Sequence, residues 1–352
     1  MENNVILSVR DLDVKFTLRG QTLHAVRGAT LDVYAGESLA IVGESGSGKS
    51  VFVKTFMGLL DSNGFISGGQ ILYNGADLTK FRTDKEWLKI RGREIAMVLQ
   101  DPMTSLNPLK TIGKQIEEAV RLHQGLRGKQ ARQAVLEVLS DVGIDEPERR
   151  ARQYPHEFSG GMRQRVVIAI ALACRPKILV CDEPTTALDV TIQAQILELM
   201  QSLQKKLGMA IIMITHDLGV IAGMCDEVIV MYAGSVCERG TADNIFYRPR
   251  HEYTRGLLRS IPNIDTDEKE RLVPISGTPI DLLRMPPGCA FAPRCERAMK
   301  LCLEGRAPEM FVGEDHIAAC WLNVKEAADR NIAPRSGEGE IAWIDLDGGA
   351  DA

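Results

Sequence analysis

A glycine-rich segment between an apolar strand and a helix constrains this chain more than any other feature. The segment runs from Gly43 to Ser50, reads GESGSGKS, and follows a short buried strand predicted over Ser38–Val42. Glycines let the backbone wrap around phosphate groups, and the free N–H groups of the following helix attract the same anions. A glycine-rich turn that binds nothing would need neither neighbour, so the strand–loop–helix order favours a phosphate-binding loop. Lys49 would then reach the β- and γ-phosphates, and the Ser50 hydroxyl would ligate Mg²⁺.

Two carboxylates follow another predicted buried strand. The strand covers Ile178–Cys181 and ends in Asp182 and Glu183. Asp182 would hold Mg²⁺ through water, and Glu183 would polarise an attacking water as a general base. Solvated acids also commonly follow strands, but the upstream phosphate loop favours the catalytic interpretation.

A second anion-binding element lies in the middle of the chain. Ser159–Gln164 reads SGGMRQ and precedes an apolar helical run, Val166–Ala173. A Ser-Gly-Gly turn that opens a helix points free N–H groups and the helix dipole at one place. Two phosphate-facing elements in one chain predict a nucleotide held from two sides, by two copies of such a domain.

Composition and patterning give the broad organisation. The 352 residues carry a net charge of -5, which argues against nucleic acid as the main partner. Apolar runs stay shorter than the ~18 residues of a membrane span, and the N-terminus lacks a leader pattern, so we expect a cytoplasmic chain. Strands and helices alternate up to about residue 240, with a helix after Lys49 running to about Leu60. Residues 100–159 show only helical spacing, with a turn at Gly125–Gly128, and read as a helical insert.

Several ordered motifs together resemble one family. Gly43–Ser50, Gln100, Ser159–Gln164, Asp182-Glu183, Asp189 and His216 have the order and spacing of an ATP-binding cassette (ABC) transporter ATPase over about residues 5–245. The resemblance implies an α/β fold: a P-loop NTPase core with a RecA-like mixed sheet, an antiparallel β subdomain and a helical subdomain at about 101–165. It places the nucleotide-binding domain at 1–245, a small Cys-containing extension at 246–330, and a disordered tail at 331–352.

The resemblance also implies roles for individual residues. The catalytic set is Glu183, His216 and Gln100, and Asp189 lies at the dimer interface. The residues implied to contact ATP or Mg²⁺ are Phe16, Gly43, Ser45, Gly46, Ser47, Gly48, Lys49, Ser50, Val51, Gln100 and Asp182, with Ser50, Gln100 and Asp182 as the magnesium ligands. Ser159, Gly160, Gly161 and Gln164 would instead contact the ATP of a partner subunit. Phe16 would stack on adenine, although a core phenylalanine remains the alternative.

Several short sequence segments point to one branch of this family. Gln100–Pro108, Tyr154–Phe158, Ile214–Val220 and Arg250–Leu258 resemble the D-type (DppD/OppD) ATPase subunits of dipeptide and oligopeptide importers, with Glu252 replacing a usual proline. This implies an F-type (DppF/OppF-like) ATPase partner, two transmembrane permeases, a solute-binding protein and a place on the cytoplasmic face of the membrane. The alternatives are a motor for nickel or another small solute, and a soluble ABC ATPase of DNA repair or translation.

Four cysteines cluster near the C-terminus. Cys289, Cys295, Cys302 and Cys320 lie in a proline-rich stretch that has little core of its own and would gain from a metal. Their spacing is not that of typical structural zinc, and thiolates suit iron–sulfur clusters as well. The resemblance implies a [4Fe–4S] cluster; zinc, free thiols and, least of all, a disulfide are the alternatives.

Overall fold

A computed structural model describes residues 4–99, 105–186, 188–261 and 274–324, apart from the side chain of Val220. The predicted glutamine at position 100 and the predicted tail at 331–352 lie outside these ranges. The strands, in chain order, are β1 Val5–Leu18, β2 Gln21–Tyr34, β3 Ser38–Val42, β4 Gly64–Tyr73, β5 Ala76–Asp77, β6 Ile95–Val98, β7 Ile178–Asp182, β8 Ala210–Thr215, β9 Glu227–Tyr232, β10 Ser235–Thr241, β11 Met310–Gly313 and β12 His316–Ala318.

These strands form two sheets. The first is antiparallel, in the order β2-β1-β4-β5, and the second is mixed, in the order β11-β12-β10-β9-β3-β8-β7-β6. Within the second sheet, β9, β3, β8, β7 and β6 are mutually parallel, whereas β10, β12 and β11 pair antiparallel. Both the mixed sheet and the antiparallel sheet of the predicted fold are therefore present.

The parallel strands are buried on both faces because side chains of a strand alternate between the two sides of the sheet. In β3, Leu39 and Ile41 join a core shared with the antiparallel sheet. Ala40 and Val42 point the other way, into a core shared with the helices. The sheet thus forms the middle layer between two cores.

The helices are α1 Lys49–Thr55, α2 Asp84–Trp87, α3 Ile112–Gln124, α4 Gly128–Asp141, α5 Pro147–Arg150, α6 Gly160–Leu172, α7 Val190–Leu207, α8 Leu218–Ile221, α9 Ala242–Tyr247, α10 Glu252–Arg259 and α11 Leu301–Glu304. The predicted helical insert is present as α3 to α5, and its buried face includes Ile112, Ile116 and Val135. The predicted turn between α3 and α4 is also present, with Gly125 in the left-handed conformation.

One predicted helix was too long. The helix that starts at Lys49 ends at Thr55 and not near Leu60. Gly58 turns the chain with a φ of +60°, and the Trp87 ring lies 2.3 Å from where a Cβ would stand. The Arg91 guanidinium donates to the carbonyls of Met57 and Gly58 at 2.6 and 2.8 Å, so the turn is held by a side chain distant in sequence.

The C-terminal extension joins the main sheet instead of folding apart from it. β12 pairs with β10, and β11 extends the edge. Glu238 of β10 is 1 % exposed and accepts hydrogen bonds from the backbone N–H of Arg250 and His251, at 2.5 and 2.9 Å. The Nε2 of His316 in β12 donates to the same carboxylate at 2.7 Å. One buried carboxylate therefore ties the start of the extension to its last strand.

We expect Glu238→Ala to lower the free energy of unfolding by about 3 kcal/mol, because two buried donors and one partly buried donor lose their acceptor. Chemical denaturation followed by circular dichroism measures this change. The control is Glu118→Ala, which breaks an exposed ion pair with Lys110 and should change stability by less than about 1 kcal/mol. Equal losses in the two variants would contradict a structural role for Glu238.

Candidate functional site

The predicted phosphate loop connects the fully buried β3 to the N-terminus of α1. Gly48 has a φ of +98°, and a Cβ there would lie 2.7 Å from the Ala25 carbonyl oxygen. At Gly43 a Cβ would lie 2.2 Å from the Met231 carbonyl oxygen, so neither position accepts a side chain. Ser45 and Gly46 form the exposed tip of the loop, whereas Ser47 is buried. This backbone shape leaves the loop open to a ligand at its tip.

Lys49 is a buried cation inside this loop. It is 5 % exposed, and its Nζ donates to the carbonyls of Gly43 and Glu44 at 2.7 and 3.0 Å. Burial lowers the pKa of Lys49, while the carboxylates of Glu183, Asp182 and Glu44 oppose that shift. A buried ammonium group near the open tip is suited to a multiply charged anion.

Ser50 and Asp182, both predicted to hold Mg²⁺, lie side by side. The Ser50 hydroxyl donates to Asp182 Oδ1 at 2.9 Å, although the two residues come from α1 and the end of β7. Burial raises the pKa of Asp182, and the Ser50 hydrogen bond acts against this. A hydroxyl and a carboxylate are oxygen ligands of the kind that Mg²⁺ prefers, and a cation would compensate the buried carboxylate. The residues therefore fit a magnesium ion.

Glu183 and His216 also meet, as their predicted catalytic roles require. His216 Nδ1 lies 3.1 Å from Glu183 Oε1, and the Thr186 hydroxyl donates to Glu183 Oε2 at 3.1 Å. The Glu183 side chain is 18 % exposed and that of His216 is 58 % exposed, so water can reach the pair. Glu183 has a φ of +48°, which is uncommon for a residue with a side chain. Such backbone strain is often found at functional sites.

The Ser-Gly-Gly turn begins α6 and is exposed at Ser159 and Gly160. Ser159 is the N-cap, and its hydroxyl accepts from the Met162 N–H at 3.4 Å. A Cβ on Gly161 would lie 2.7 Å from Ile192 Cγ2, so this glycine permits close packing of α6 on α7. Asp189 is the exposed N-cap of α7 and accepts from the Ile192 N–H at 2.9 Å. The turn and Asp189 thus belong to neighbouring parts of one surface.

Other predicted nucleotide contacts are less exposed. Phe16 is 9 % exposed, and its ring stands 2.6 Å from where a Cβ on Gly64 would be. Val51 is half-buried against the same core. Gln164 is 1 % exposed, and neither its Oε1 nor its Nε2 has a hydrogen-bond partner. The contacts of all three with a nucleotide stay predictions, as does any role of Gln100, which lies outside the described residues.

The four clustered cysteines line one small cavity. Backbone N–H groups point at each sulfur: those of Phe291 and Ala292 at Cys289, Arg297 at Cys295, Met299 at Cys302, and Leu322 at Cys320. Yet no group of three or more His, Cys, Asp or Glu side chains within the described ranges is arranged to hold a metal ion. No disulfide joins any of the eight cysteines, all of which lie in the described ranges. The structure therefore supports a shared thiol cavity but does not itself support the predicted [4Fe–4S] cluster.

Sequence reasoning missed the residues that support the phosphate loop from behind. Glu44, the second residue of the loop, contacts Arg294 and Tyr253, both in the C-terminal extension. Tyr253 falls in Arg250–Leu258, where the sequence shows a family resemblance but no link to the phosphate loop. No local pattern marks Arg294, which stands alone between Pro293 and Cys295.

The chain is similar to known protein families and to individual relatives over most of its length. Residues 26–186 match the profile of the ABC transporter family, and residues 237–302 match that of the oligopeptide/dipeptide transporter C-terminal region. The oligopeptide transport ATP-binding protein AmiE of Streptococcus pneumoniae is 52% identical over 93% of this chain and 92% of its own length. The dipeptide transport ATP-binding protein DppD of Bacillus subtilis is 52% identical over 92% of this chain and 96% of its own. The oligopeptide transport ATP-binding protein OppD of Salmonella typhimurium is 48% identical over 92% and 95%.

Solved structures share the fold. The dimeric ATP-binding cassette MJ0796 bound to ADP and Pi gives a TM-score of 0.60 at 28% identity, over 67% of this chain and 98% of that chain. The cbiO1 protein of Clostridium perfringens, part of the ABC transporter complex cbiONQ, gives 0.61 at 31% identity, over 70% and 92%. These matches confirm the predicted fold class.

We expect Glu183→Gln to lower the rate of ATP hydrolysis by at least about 100-fold, because the amide cannot accept a proton from water. Affinity for ATP, whose predicted contacts are Lys49 and the phosphate loop, should change little. Phosphate release and binding of a fluorescent ATP analogue measure the two quantities. Glu227→Gln makes the same chemical change at the opposite end of the parallel strands and should leave both unchanged. Undiminished hydrolysis by the Glu183 variant, in a complex where this is the only active site, would refute the general-base role.

Proposed function

This chain belongs to the ATP-binding subunits of the oligopeptide/dipeptide branch of the ABC transporter family, and we propose that it is the ATPase motor of an importer of di- and oligopeptides. The main support for the proposal is that the sequence similarity to peptide-transport relatives extends over nearly the whole chain. Relatives named as peptide-transport ATP-binding proteins are about half identical over more than nine-tenths of both chains, so the likeness includes the extension as well as the cassette.

The geometry supports nucleotide binding at the carboxyl edge of the mixed sheet. The Lys49 ammonium and the N–H groups at the start of α1 would hold the β- and γ-phosphates. Ser50 and Asp182 would hold Mg²⁺, which neutralises charge on the phosphate oxygens. The 2.9 Å contact between these two side chains is the structural support for that assignment.

Hydrolysis would proceed by in-line attack of water on the γ-phosphorus. Glu183 would accept a proton from the water as the new P–O bond forms and the bond to ADP breaks. His216, 3.1 Å from the Glu183 carboxylate, would orient that carboxylate and contact the γ-phosphate. The exposure of the pair allows water to enter.

We further propose that a complete site needs two subunits. Ser159 and Gly160 lie exposed at the N-terminus of α6, where free N–H groups attract an anion. Asp189 and the apolar Val190, 83% exposed, flank this turn through the packing of Gly161 on Ile192. Solvent contact at these positions is consistent with a surface that a partner covers, and the similar cassette MJ0796 is dimeric. An F-type subunit is the proposed partner.

The chain would reach the membrane only through other subunits. No helix in the described part of the chain is both long and apolar enough to cross a bilayer. Two permeases and an extracytoplasmic solute-binding protein would complete the importer, with this chain on the cytoplasmic face. Docking near residue 100 and the helical insert follows from the family resemblance.

For the four cysteines we propose a metal site, with a [4Fe–4S] cluster as the first candidate. Support comes from the shared cavity and from the backbone N–H group directed at each sulfur, because such hydrogen bonds stabilise thiolates around iron–sulfur clusters. Burial raises the pKa of Cys295 to about 12, so this thiol stays protonated until a metal displaces its proton. A cluster or zinc here would link four points of the small apolar cluster that Ala298, Met299 and Leu322 form with these cysteines.

The transporter function predicts co-purification and uptake. From detergent-solubilised membranes, the tagged full-length chain should bring down two permeases and a second ATPase subunit. Reconstituted in liposomes with the solute-binding protein, the complex should take up labelled di- or oligopeptides only with ATP. Ser159→Arg should abolish uptake while the chain still binds ATP through its own Lys49. Recovery with ribosomes or DNA but never with membrane proteins would contradict the proposal, and uptake of nickel instead of peptides would change the cargo.

The metal site predicts iron in the purified protein. The chain isolated without oxygen should contain iron and acid-labile sulfide, and Cys295→Ser should lose most of both and unfold the extension more readily. Elemental analysis and limited proteolysis test this. Cys225→Ser alters a buried thiol outside the four-cysteine cavity and should keep the metal. A wild-type chain with neither iron nor zinc, and an unchanged Cys295 variant, would rule the site out.

A further inference from the structure

Glu44 is the point where the C-terminal extension contacts the phosphate loop. Its carbonyl accepts hydrogen bonds from Lys49 Nζ at 3.0 Å and from the Ser47 N–H at 3.2 Å. Its N–H donates to the Tyr253 hydroxyl at 2.7 Å, and its carboxylate pairs with Arg294. The peptide N–H, the carbonyl and the side chain of this one loop residue are therefore all engaged, and two of the three are engaged by the extension.

Arg294 is built to hold this carboxylate. Its Nη1 and Nη2 donate to the two oxygens of Glu44 at 2.5 and 2.9 Å, a bidentate pair. The Arg294 side chain is 4 % exposed, so the pair is shielded from water on that side. Its Nε donates to the Ser276 carbonyl at 2.9 Å, and Nη2 also reaches the Ile275 carbonyl at 3.3 Å. Carbonyl groups of the extension therefore hold the guanidinium in the orientation that contacts the loop.

Tyr253 is held equally firmly. It is fully buried, and its ring packs against those of Tyr232 and Phe291, with centroids 4.6 and 5.3 Å away. Tyr232 ends β9, beside the loop, whereas Phe291 belongs to the extension. Pro279 and Ile280 of the extension line a small cavity against Glu44 and Ser47. The rear wall of the phosphate loop is therefore made partly by the extension.

We propose that Arg294 and Tyr253 are positioning residues that hold the phosphate loop in its nucleotide-binding shape, so that the C-terminal extension sets the affinity for the triphosphate. This rests on the proposed ATPase function. The Glu44 peptide lies between its two anchors and Lys49. If the anchors are lost, the peptide can rotate, and the ammonium loses a fixed carbonyl while the loop loses a fixed orientation of its N–H groups. Neither residue touches the nucleotide itself.

The direction in which Glu44→Gln changes the affinity for ATP distinguishes a positioning role from a purely electrostatic one. If the three side chains acted only through their charge, Glu44→Gln would bring less negative charge near the phosphates and would tighten ATP binding. Loss of the bidentate pair instead frees the loop, so positioning predicts weaker binding. Tyr253→Phe changes no charge and removes only the acceptor of the Glu44 N–H.

The test is a titration of the full-length chain with a fluorescent ATP analogue in the presence of Mg²⁺. We expect Tyr253→Phe, Arg294→Gln and Glu44→Gln each to raise Kd roughly three- to ten-fold, the effect of one lost hydrogen bond or pair. Arg294→Gln should add little in a chain that already carries Glu44→Gln. Arg294→Lys, which keeps the charge but not the bidentate geometry, should restore only part of the affinity. In the assembled complex KM for ATP should rise while kcat at saturating ATP stays close to that of wild type.

Arg149→Gln is the control, because this arginine makes an exposed ion pair with Glu146 at the start of α5, in the helical insert. It should leave Kd unchanged. Wild-type affinity in the Tyr253 and Arg294 variants, or tighter binding by Glu44→Gln, would overturn the inference. If Arg294→Gln fails to fold, the variant at Glu44, whose side chain is 26% exposed, decides the question alone. A wild-type chain that binds no ATP analogue would instead refute the proposed function.

Discussion

Parallel pairing of β3 with β8, and of β8 with β7, is the constraint on which the site depends. Because the strands run in the same direction, their carboxyl ends meet at one edge of the sheet. The phosphate loop follows β3, the two carboxylates end β7, and His216 follows β8. Side chains separated by more than 130 positions, such as Ser50 and Asp182, therefore come within hydrogen-bond distance.

Burial at this edge of the sheet affects the protonation of Lys49 and Asp182. Lys49 and Asp182 are both buried. Burial lowers the pKa of Lys49 and raises that of Asp182, so it favours the neutral form of each side chain. Each charge then gains from a counter-charge, which a phosphate and a divalent cation would supply. Glu183 and His216 are more exposed, so water reaches the two side chains that we propose act on the attacking water.

The extension contributes to the cassette in two ways. β12 and β11 lengthen the mixed sheet beyond β10, and Glu238 fixes that junction with a buried hydrogen-bonded carboxylate. Arg294 and Tyr253 of the extension also contact the phosphate loop, through Glu44. The four-cysteine cavity lies in the same segment, since Cys289 and Cys295 flank Phe291 and Arg294. Any group bound there would brace the residues that contact Glu44.

The sequence alone determined the local parts of this protein. The phosphate loop, the strand that ends in Asp182, the turn that opens α6 and the helical insert could all be predicted, because glycine placement and hydrophobic periodicity report on neighbouring residues. Only the tertiary structure decided that α1 stops at Thr55, that Phe16 and Gln164 are buried, and that Arg294 meets Glu44. That last pair is 250 positions apart. A single sequence does not encode such a contact in any local pattern, because it arises only when the extension folds back along the edge of the sheet.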